Sequence, residues 1–301
     1  MNRSQFSVLV YIERMAGKSF TQKEVAQVCG ISVGTVNSAV SYLQEQKFIE
    51  LNENGDYGVS ELGYQNLEPY KVKRALFFAA GFGSRLVPVS YNTPKPLIRV
   101  KGVRMIDTLL DAVIEAGIED ITIVRGFLKE QFDTLLIKYP MIKFIDNDYY
   151  NEANNISSAY MARHLFENTL VLESDLLLSD PLIINKYEYS SSYKTKKVDV
   201  TDDWCFDTRG SLITKVKIGG VDTHQMVGIS YWTKEDGIKL AEDIAAVYKS
   251  PGGKEKYWDE VALKDMKEKY AVNVVPVGQD AIIEIDTFAE LCEVDPIYKV
   301  K

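Results

Sequence analysis

Apolar positions along the chain change their spacing near residue 71, and the change divides the sequence into two kinds of pattern. Ahead of it, Thr21-Gln22-Lys23-Glu24 is a capping box: the threonine accepts from the third backbone N–H and the glutamate reaches back. It predicts a short helix that closes at Cys29-Gly30. Ser32 can cap a second helix to about Gln46, with Val33, Val36, Val40 and Leu43 on one apolar stripe. Phe48-Ile49-Glu50-Leu51 and Tyr57-Gly58-Val59, separated by Asn52–Asp56 with its Asn-Gly, predict a hairpin whose loop needs positive φ. Residues 1–70 therefore read as a helix-turn-helix with a strand pair at its end.

From Lys71 onward strand-like and helix-like runs alternate, as they do in a mostly parallel sheet covered by helices. Strands are predicted at Ala75–Ala80, Asp120–Val124, Ile142–Ile145 and Leu170–Glu173, and helices at Arg104–Ala116, Leu128–Lys138 and Ile156–Phe166. Farther on come strands at Val198–Val200, Leu212–Ile218 and Val227–Trp232, then helices near Asp236–Tyr248 and Trp258–Lys269. The fold class is α/β, with a three-layer domain over residues 71–301 preceded by a small domain over residues 1–70 that resembles a winged helix.

Composition narrows the functions available. With 301 residues, 46 % hydrophobic and 26 % charged, the chain has the content of two globular domains and excludes disorder, collagen and coiled coil. No apolar run approaches the ~20 residues a bilayer needs, and Met1-Asn2-Arg3-Ser4-Gln5 lacks the features of a signal peptide, so a cytoplasmic protein with no membrane partner is expected. Cys29, Cys205 and Cys292 are far apart and only His164 and His224 accompany them, which argues against disulfides and structural zinc. The net charge of −8 opposes broad attraction to phosphate backbones. Residues 1–70 hold five bases against eight acids, and Ser32–Gln46 carries no Lys or Arg, although Ser32, Thr35, Asn37, Ser38 and Gln44 can touch bases or phosphates. DNA is thus a partner disfavoured by charge; homodimerisation through the winged helix, or docking on the second domain, is the other use of such a unit.

The chemistry is concentrated where a buried strand runs into Ala79-Ala80-Gly81-Phe82-Gly83-Ser84-Arg85, a loop whose backbone N–H groups can approach a polyphosphate. Leu86 stands where a Rossmann Gly-x-Gly-x-x-Gly needs glycine, and no Gly-Lys-Ser/Thr follows. Pro88 and Thr93-Pro94-Lys95-Pro96-Leu97 continue the pattern, the prolines stiffening a segment that carries Lys95 back toward the loop. Together these residues resemble the signature of the sugar-phosphate and choline-phosphate nucleotidyltransferases, over about residues 72 to 295. The resemblance implies a Rossmann-like α/β fold that couples a nucleoside triphosphate to a phosphorylated small molecule and releases pyrophosphate. Within that superfamily the chain looks most like the bacterial CTP:phosphocholine cytidylyltransferases. The likeness rests on Gly126–Phe132, Asn154-Asn155 with Ser158-Ala159-Tyr160, Tyr257-Trp258-Asp259 and Ile283-Glu284-Ile285-Asp286.

Nucleotidyl transfer is an in-line displacement by the acceptor's own phosphate oxygen, so it needs no protein nucleophile. It does need Mg²⁺ held by one or two carboxylates. Asp175, at a strand end, and Asp286 are the expected metal pair, and Arg85, Lys95 and Asp175 the expected catalytic residues. Nucleotide contacts are expected from Ala79, Ala80, Gly81, Gly83, Ser84 and Arg85, with Asn154, Asn155 and Ser158 offering the donors and acceptors a cytosine edge requires. A quaternary ammonium is best held by aromatic faces with a carboxylate near, and Trp204, Trp232 and Trp258 all lie in the second half of the chain; the resemblance to the cytidylyltransferases implies Trp204, Tyr257, Trp258 and Asp259 for the acceptor ahead of Trp232. Two positions depart from the family pattern: Glu173-Ser174-Asp175 replaces an Asp-Ala-Asp strand end, and Glu260 follows Trp258-Asp259 in place of Asn. The reading is a cytidylyltransferase that makes CDP-choline from CTP and phosphocholine. Its alternatives are another acceptor (phosphoethanolamine, 2-aminoethylphosphonate or a sugar 1-phosphate) or a nucleotide-sensing DNA-binding regulator.

Overall fold

The computed structural model describes residues 1–15 and 18–299. The chain separates into two compact units, Met1–Lys71 with Tyr187–Tyr189, and Val72–Lys186 with Ser190–Lys301.

In the first unit, α1 (Arg3–Met15), α2 (Gln22–Cys29) and α3 (Val33–Glu45) precede the antiparallel pair β1 (Ile49–Leu51) and β2 (Tyr57–Val59), and α4 (Glu61–Leu67) follows. The capping box forms as read, with Thr21 accepting from Glu24, and Ser32 caps α3. Two elements exceed the sequence reading: α1 packs beneath the helix-turn-helix, and α4 continues past the hairpin, so the strand pair is not the end of the unit. The α3 stripe is Val36, Ala39, Val40 and Leu43; Val33, in its first turn, is exposed. The core also takes in Tyr187 from far along the chain, while Tyr189 stacks on Tyr70 at 5.5 Å. Sequence patterning could not find that excursion, because three residues carry no period.

The second unit is built on a mixed seven-stranded sheet. Its strands are β3 (Arg74–Ala79), β6 (Asp120–Arg125), β7 (Lys143–Asp146), β8 (Thr169–Glu173), β10 (Ser192–Arg209), β11 (Leu212–Trp232) and β12 (Asn273–Pro276). The short strands β4 (Arg99–Val100) and β5 (Val103–Arg104) pair with each other, as do β9 (Leu176–Leu178) and β13 (Ile282–Glu284). The sheet order is β10-β12-β11-β8-β3-β6-β7. The half containing β8, β3, β6 and β7 is parallel, as expected; β11 runs antiparallel to β8 and turns the other half mixed.

Alternation along β3 divides the interior into two layers. Ala75, Phe77 and Ala79 face a core that includes Ile106, Leu109 and Val113 of α5 (Met105–Glu115). Leu76 and Phe78 face the other core, with Ile156 and Ala159 of α6 (Ile156–Ala162) and Leu240 and Ile244 of α7 (Lys234–Lys249). Both faces of the sheet are thereby covered, giving three layers.

Several expectations are corrected. The strands read at Val198–Val200, Leu212–Ile218 and Val227–Trp232 are parts of β10 and β11, which pair over most of their length with register shifts between Thr201 and Asp207. Polar residues and bulges break the two-residue period there, and so hide the length of the strands. Leu128–Lys138 folds as successive 3₁₀ turns over Lys129–Ile137. Trp258–Lys269 is broken into α8 (Trp258–Glu260), a π turn at Val261–Asp265 and a 3₁₀ turn. The last helix, α9 (Phe288–Val294), is capped by Thr287.

Candidate active site

The carboxyl ends of β3 and β8 open into a cavity of about 350 Å³. Its walls include Ala79, Ala80, Gly81, Gly83, Ser84, Arg85, Lys95, Asn154, Asn155, Ser158, Glu173, Asp175, Tyr257 and Asp286. Open α/β sheets place ligands at this edge, where strand ends and loops leave polar groups unspent.

Gly83 adopts φ +69°, and a Cβ there would stand 3.1 Å from the Cβ of Lys95. A side chain at 83 would therefore be strained and would push on the lysine stem, so glycine lets the loop fold back over it. Lys95 is buried, and its Nζ donates to Asp175 Oδ2 and to Asp286 Oδ1, each at 2.8 Å. Burial alone would push this ammonium down. Asp175 and Asp286 overcome that and hold its pKa above the ordinary lysine value. Arg85 donates to the same Asp286 oxygen at 3.0 Å, with most of its own side chain exposed. Asp286 does not cap α9: Thr287 does, and Asp286 contributes only its backbone N–H, to Glu290 at 2.8 Å. Its carboxylate is left for the cavity.

Two further acids join the group. Carboxylate oxygens of Glu173, Asp175 and Glu284 all lie within 4.8 Å of one another. Burial and the charges of Asp175, Asp259 and Glu284 raise Glu173 well above the usual carboxylate range. Burial, with Asp175, Asp286 and Asp203, pushes Glu284 up to about 8. Gly228, at φ +67°, gives Glu173 its room: a Cβ at 228 would come within 3.2 Å of the Glu173 Cβ and Cγ. Ser174 between the two acids turns the other way and donates to Phe78 O at 2.8 Å, tying the end of β8 to β3. The sequence carried a signal for both missed acids, since Glu173/Asp175 and Glu284/Asp286 are each spaced by two and residues so spaced share a face.

Asp175 Oδ1 is buried and has no hydrogen-bond partner among the described residues. An orphaned carboxylate oxygen beside other acidic oxygens is an all-oxygen donor set of the kind a small hard cation takes. The residues present therefore fit a divalent metal.

The remaining expected residues divide. Ser158 is buried and its Oγ accepts from Asn147 Nδ2 at 3.0 Å. Asn154 and Asn155 reach the cavity wall, but neither side chain caps α6. Of the residues expected at the acceptor, Tyr257 reaches the wall and meets Trp204 in a T-shaped contact, ring centroids 5.5 Å apart. Trp258 does not face the cavity. Its ring, 2 % exposed, packs against Phe78, Phe166, Tyr193 and Trp232. Asp259 is buried too, accepting from Tyr193 Oη at 2.6 Å. The expected four-residue cage reduces at the wall to Tyr257 with Trp204 beside it, because Tyr257 is still extended whereas Trp258 and Asp259, in the helical turn that follows, both turn to Tyr193 in the core.

The comparisons now fall into place. Residues 1–56 match the MarR family and residues 74–197 match the family described as Nucleotidyl transferase. The chain is 40 % identical to a 2-aminoethylphosphonate cytidylyltransferase of Lancefieldella rimae, over 74 % of this chain and 92 % of that protein. It is 31 % identical to a choline-phosphate cytidylyltransferase of Streptococcus pneumoniae, over 75 % of this chain and 98 % of that one. Among solved structures, a CTP:phosphocholine cytidylyltransferase from Streptococcus pneumoniae superposes with a TM-score of 0.69 at 30 % identity, covering 76 % of this chain and all of the other. The chain belongs to the nucleotidyltransferases, and within them to the cytidylyltransferases, with a MarR-type winged helix at its N-terminal end. Among the described residues no helix is long and apolar enough to cross a membrane.

Burial raises Asp259 from 3.8 to about 6, against the opposing hydrogen bond from Tyr193. A raised carboxyl binds its proton more tightly folded than unfolded, so it stabilises the fold below about pH 4 and loses that contribution as pH rises through 6. Asp259→Asn keeps an acceptor for Tyr193 and removes the titration. Thermal melts from pH 4 to pH 7 are expected to show the wild type losing ground to the variant across that window; parallel curves would place the Asp259 pKa elsewhere.

Proposed function

We propose that the chain transfers CMP from CTP to 2-aminoethylphosphonate, releasing pyrophosphate, with Mg²⁺ held by Asp175 and Asp286. The acceptor's phosphonate oxygen attacks the α-phosphorus and the pyrophosphate leaves in line, so no covalent enzyme intermediate is required. The metal, when bound, neutralises charge on the phosphates and orients them. Gly81, Gly83 and Ser84, with Ala79 and Ala80 behind them, present a backbone cradle to the triphosphate. Arg85 and Lys95 supply positive charge where it develops on the leaving group. Asn154 and Ser158 border the end of the cavity assigned to the cytosine.

The observation that carries the choice of acceptor is the withdrawal of Trp258 into the core, which leaves Tyr257 as the one ring of the expected cage at the cavity wall, with Glu173, Asp175 and Asp286 among the other lining residues. A primary ammonium donates three hydrogen bonds and suits carboxylates; a quaternary one donates no N–H hydrogen bond and depends on aromatic faces. The 40 % identical relative carries the matching name. Phosphocholine is the second reading, favoured by the Trp204–Tyr257 contact and by the relative at 31 %.

We further assign the winged helix to protein contact, either docking or homodimerisation, rather than to DNA. Across α3 there is no Lys or Arg. Its Ser38 hydroxyl is turned onto Gly34 O at 3.1 Å, and Ser32 and Thr35 bond each other at 2.9 Å.

Pyrophosphate release with CTP and Mg²⁺ is expected to favour 2-aminoethylphosphonate over phosphocholine by about tenfold or more in kcat/KM. The reverse order would move the assignment to phosphocholine, and turnover with glucose 1-phosphate alone would remove both. Asp175→Ala is expected to lower kcat by about a thousandfold while the folded chain keeps its far-UV circular dichroism; a variant of near-normal activity would take Asp175 out of the mechanism. A gel-shift series over genomic fragments at low salt is expected to show no retained band, and salt-sensitive retention would return DNA to the first unit.

A further inference from the structure

Asn154 and Asn155 stand at the entry to α6, where an asparagine oxygen ordinarily accepts from a free N–H of the first turn. Here both are committed elsewhere. Asn155 Oδ1 accepts from the main-chain N–H of Trp258 at 3.0 Å. Asn154 donates its backbone N–H to Lys254 O at 2.7 Å and its Nδ2 to Glu255 O at 3.2 Å, and its own Oδ1 accepts from Asn155 N at 2.7 Å. The two amides thus stitch the start of α6 to the segment 254–258, about a hundred residues away in sequence.

That segment carries Tyr257, and the Asn155 bond lands one residue beyond it. On its other side, the Tyr257 N–H donates to Glu260 Oε2 at 3.1 Å. The Trp258 ring is wedged into the aromatic core. The main chain is therefore held on both sides of a residue that is 45 % exposed and whose one ring-to-ring contact among the described residues is with Trp204. The held peptide fixes the point from which the ring projects and the range of rotamers open to it.

We propose that Asn155 is a positioning residue for the acceptor: through the Trp258 peptide it aims the Tyr257 ring, and so couples the α6 end of the cavity to the acceptor wall. The proposal rests on the reading of Tyr257 as that wall. Asn155 then governs acceptor binding more than base recognition, although it sits beside the residues assigned to the cytosine. A side chain that only stabilised the fold would weaken both substrates together, whereas one that aims Tyr257 separates them.

The test uses the full chain with Asn155→Ala, Asn155→Gln, Asn155→Asp and Tyr257→Ala, reading the acceptor KM by pyrophosphate release and the CTP Kd by calorimetry. Asn155→Ala is expected to raise the KM for 2-aminoethylphosphonate about tenfold while the CTP Kd moves less than about twofold. Asn155→Asp, isosteric and still offering an oxygen to the Trp258 N–H, is expected to keep the acceptor KM within about threefold of wild type. Should Asn155→Ala fail to fold, Asn155→Gln, whose amide is displaced by one methylene, reads the same split. Equal losses for CTP and acceptor, or an unmoved acceptor KM, would overturn the proposal. Tyr257→Ala separates the two layers of the argument. If it raises the acceptor KM and the Asn155 variants do not, only the coupling fails; if it leaves the KM unchanged, the acceptor wall itself is misassigned and the proposal falls with it.

Discussion

One buried ammonium organises the catalytic unit. Lys95 Nζ lies 2.8 Å from both Asp175 and Asp286, carboxylates that arrive from opposite parts of the chain. Without it, these acids and the neighbouring Glu173 and Glu284 would leave four carboxyl groups close together with no cation among them, and repulsion between buried like charges would force protonation or spread the strand ends apart. Half of that response is visible: Glu173 and Glu284 are raised, with burial and neighbouring acids as the causes, while the lysine is held charged. The two prolines flanking Lys95 and the αL glycine at 83 make sense as parts of this one arrangement, since they fix the path of the lysine stem and clear space for it.

A pair of acids held by lysine is also the arrangement a metal would meet. The ammonium accounts for one oxygen of each aspartate, and Asp175 Oδ1 is left with no partner among the described residues. A buried ion pair adds little net stability once desolvation is counted, so its presence at a cavity wall is better explained by what it does there. Arg85, mostly exposed and bonded to Asp286, brings a second cation to the same place. With Glu173 and Glu284 raised toward their neutral forms, the charges of Lys95 and Arg85 answer those of Asp175 and Asp286.

The readability of the sequence followed the strength of the local signal. Caps were legible, because Thr21 with Glu24 and Ser32 with Thr35 are short-range hydrogen bonds encoded within four residues. The parallel half of the sheet was legible from its unbroken apolar strands, and the phosphate loop from its glycines and the proline-flanked lysine. The hairpin of β10 and β11 was not, since bulges between Thr201 and Asp207 break the alternation on which strand reading depends. Neither was the π turn at Val261–Asp265, whose composition is that of an ordinary helix. The comparisons put the chain among the cytidylyltransferases, as the residues around the loop implied, but the phosphocholine acceptor was read more sharply than they support.

That last gap has a specific physical origin. Tyr257-Trp258-Asp259 in a row suggests three groups acting together, yet where the chain passes from an extended residue into a helical turn the direction of the side chains changes between the first and the next two. Only the first reaches the cavity here; the second is spent on the core with Phe78, Phe166, Tyr193 and Trp232, and the third on the Tyr193 hydroxyl. The buried pair is still relevant to the acceptor, because it anchors the turn from which Tyr257 projects. Composition near a site therefore overstates the number of groups that touch a ligand, and the difference is made up by residues that hold the touching group in place. For this cavity, that moves the weight from the number of tryptophans nearby to the hydrogen bonds that hold the main chain on either side of one exposed tyrosine.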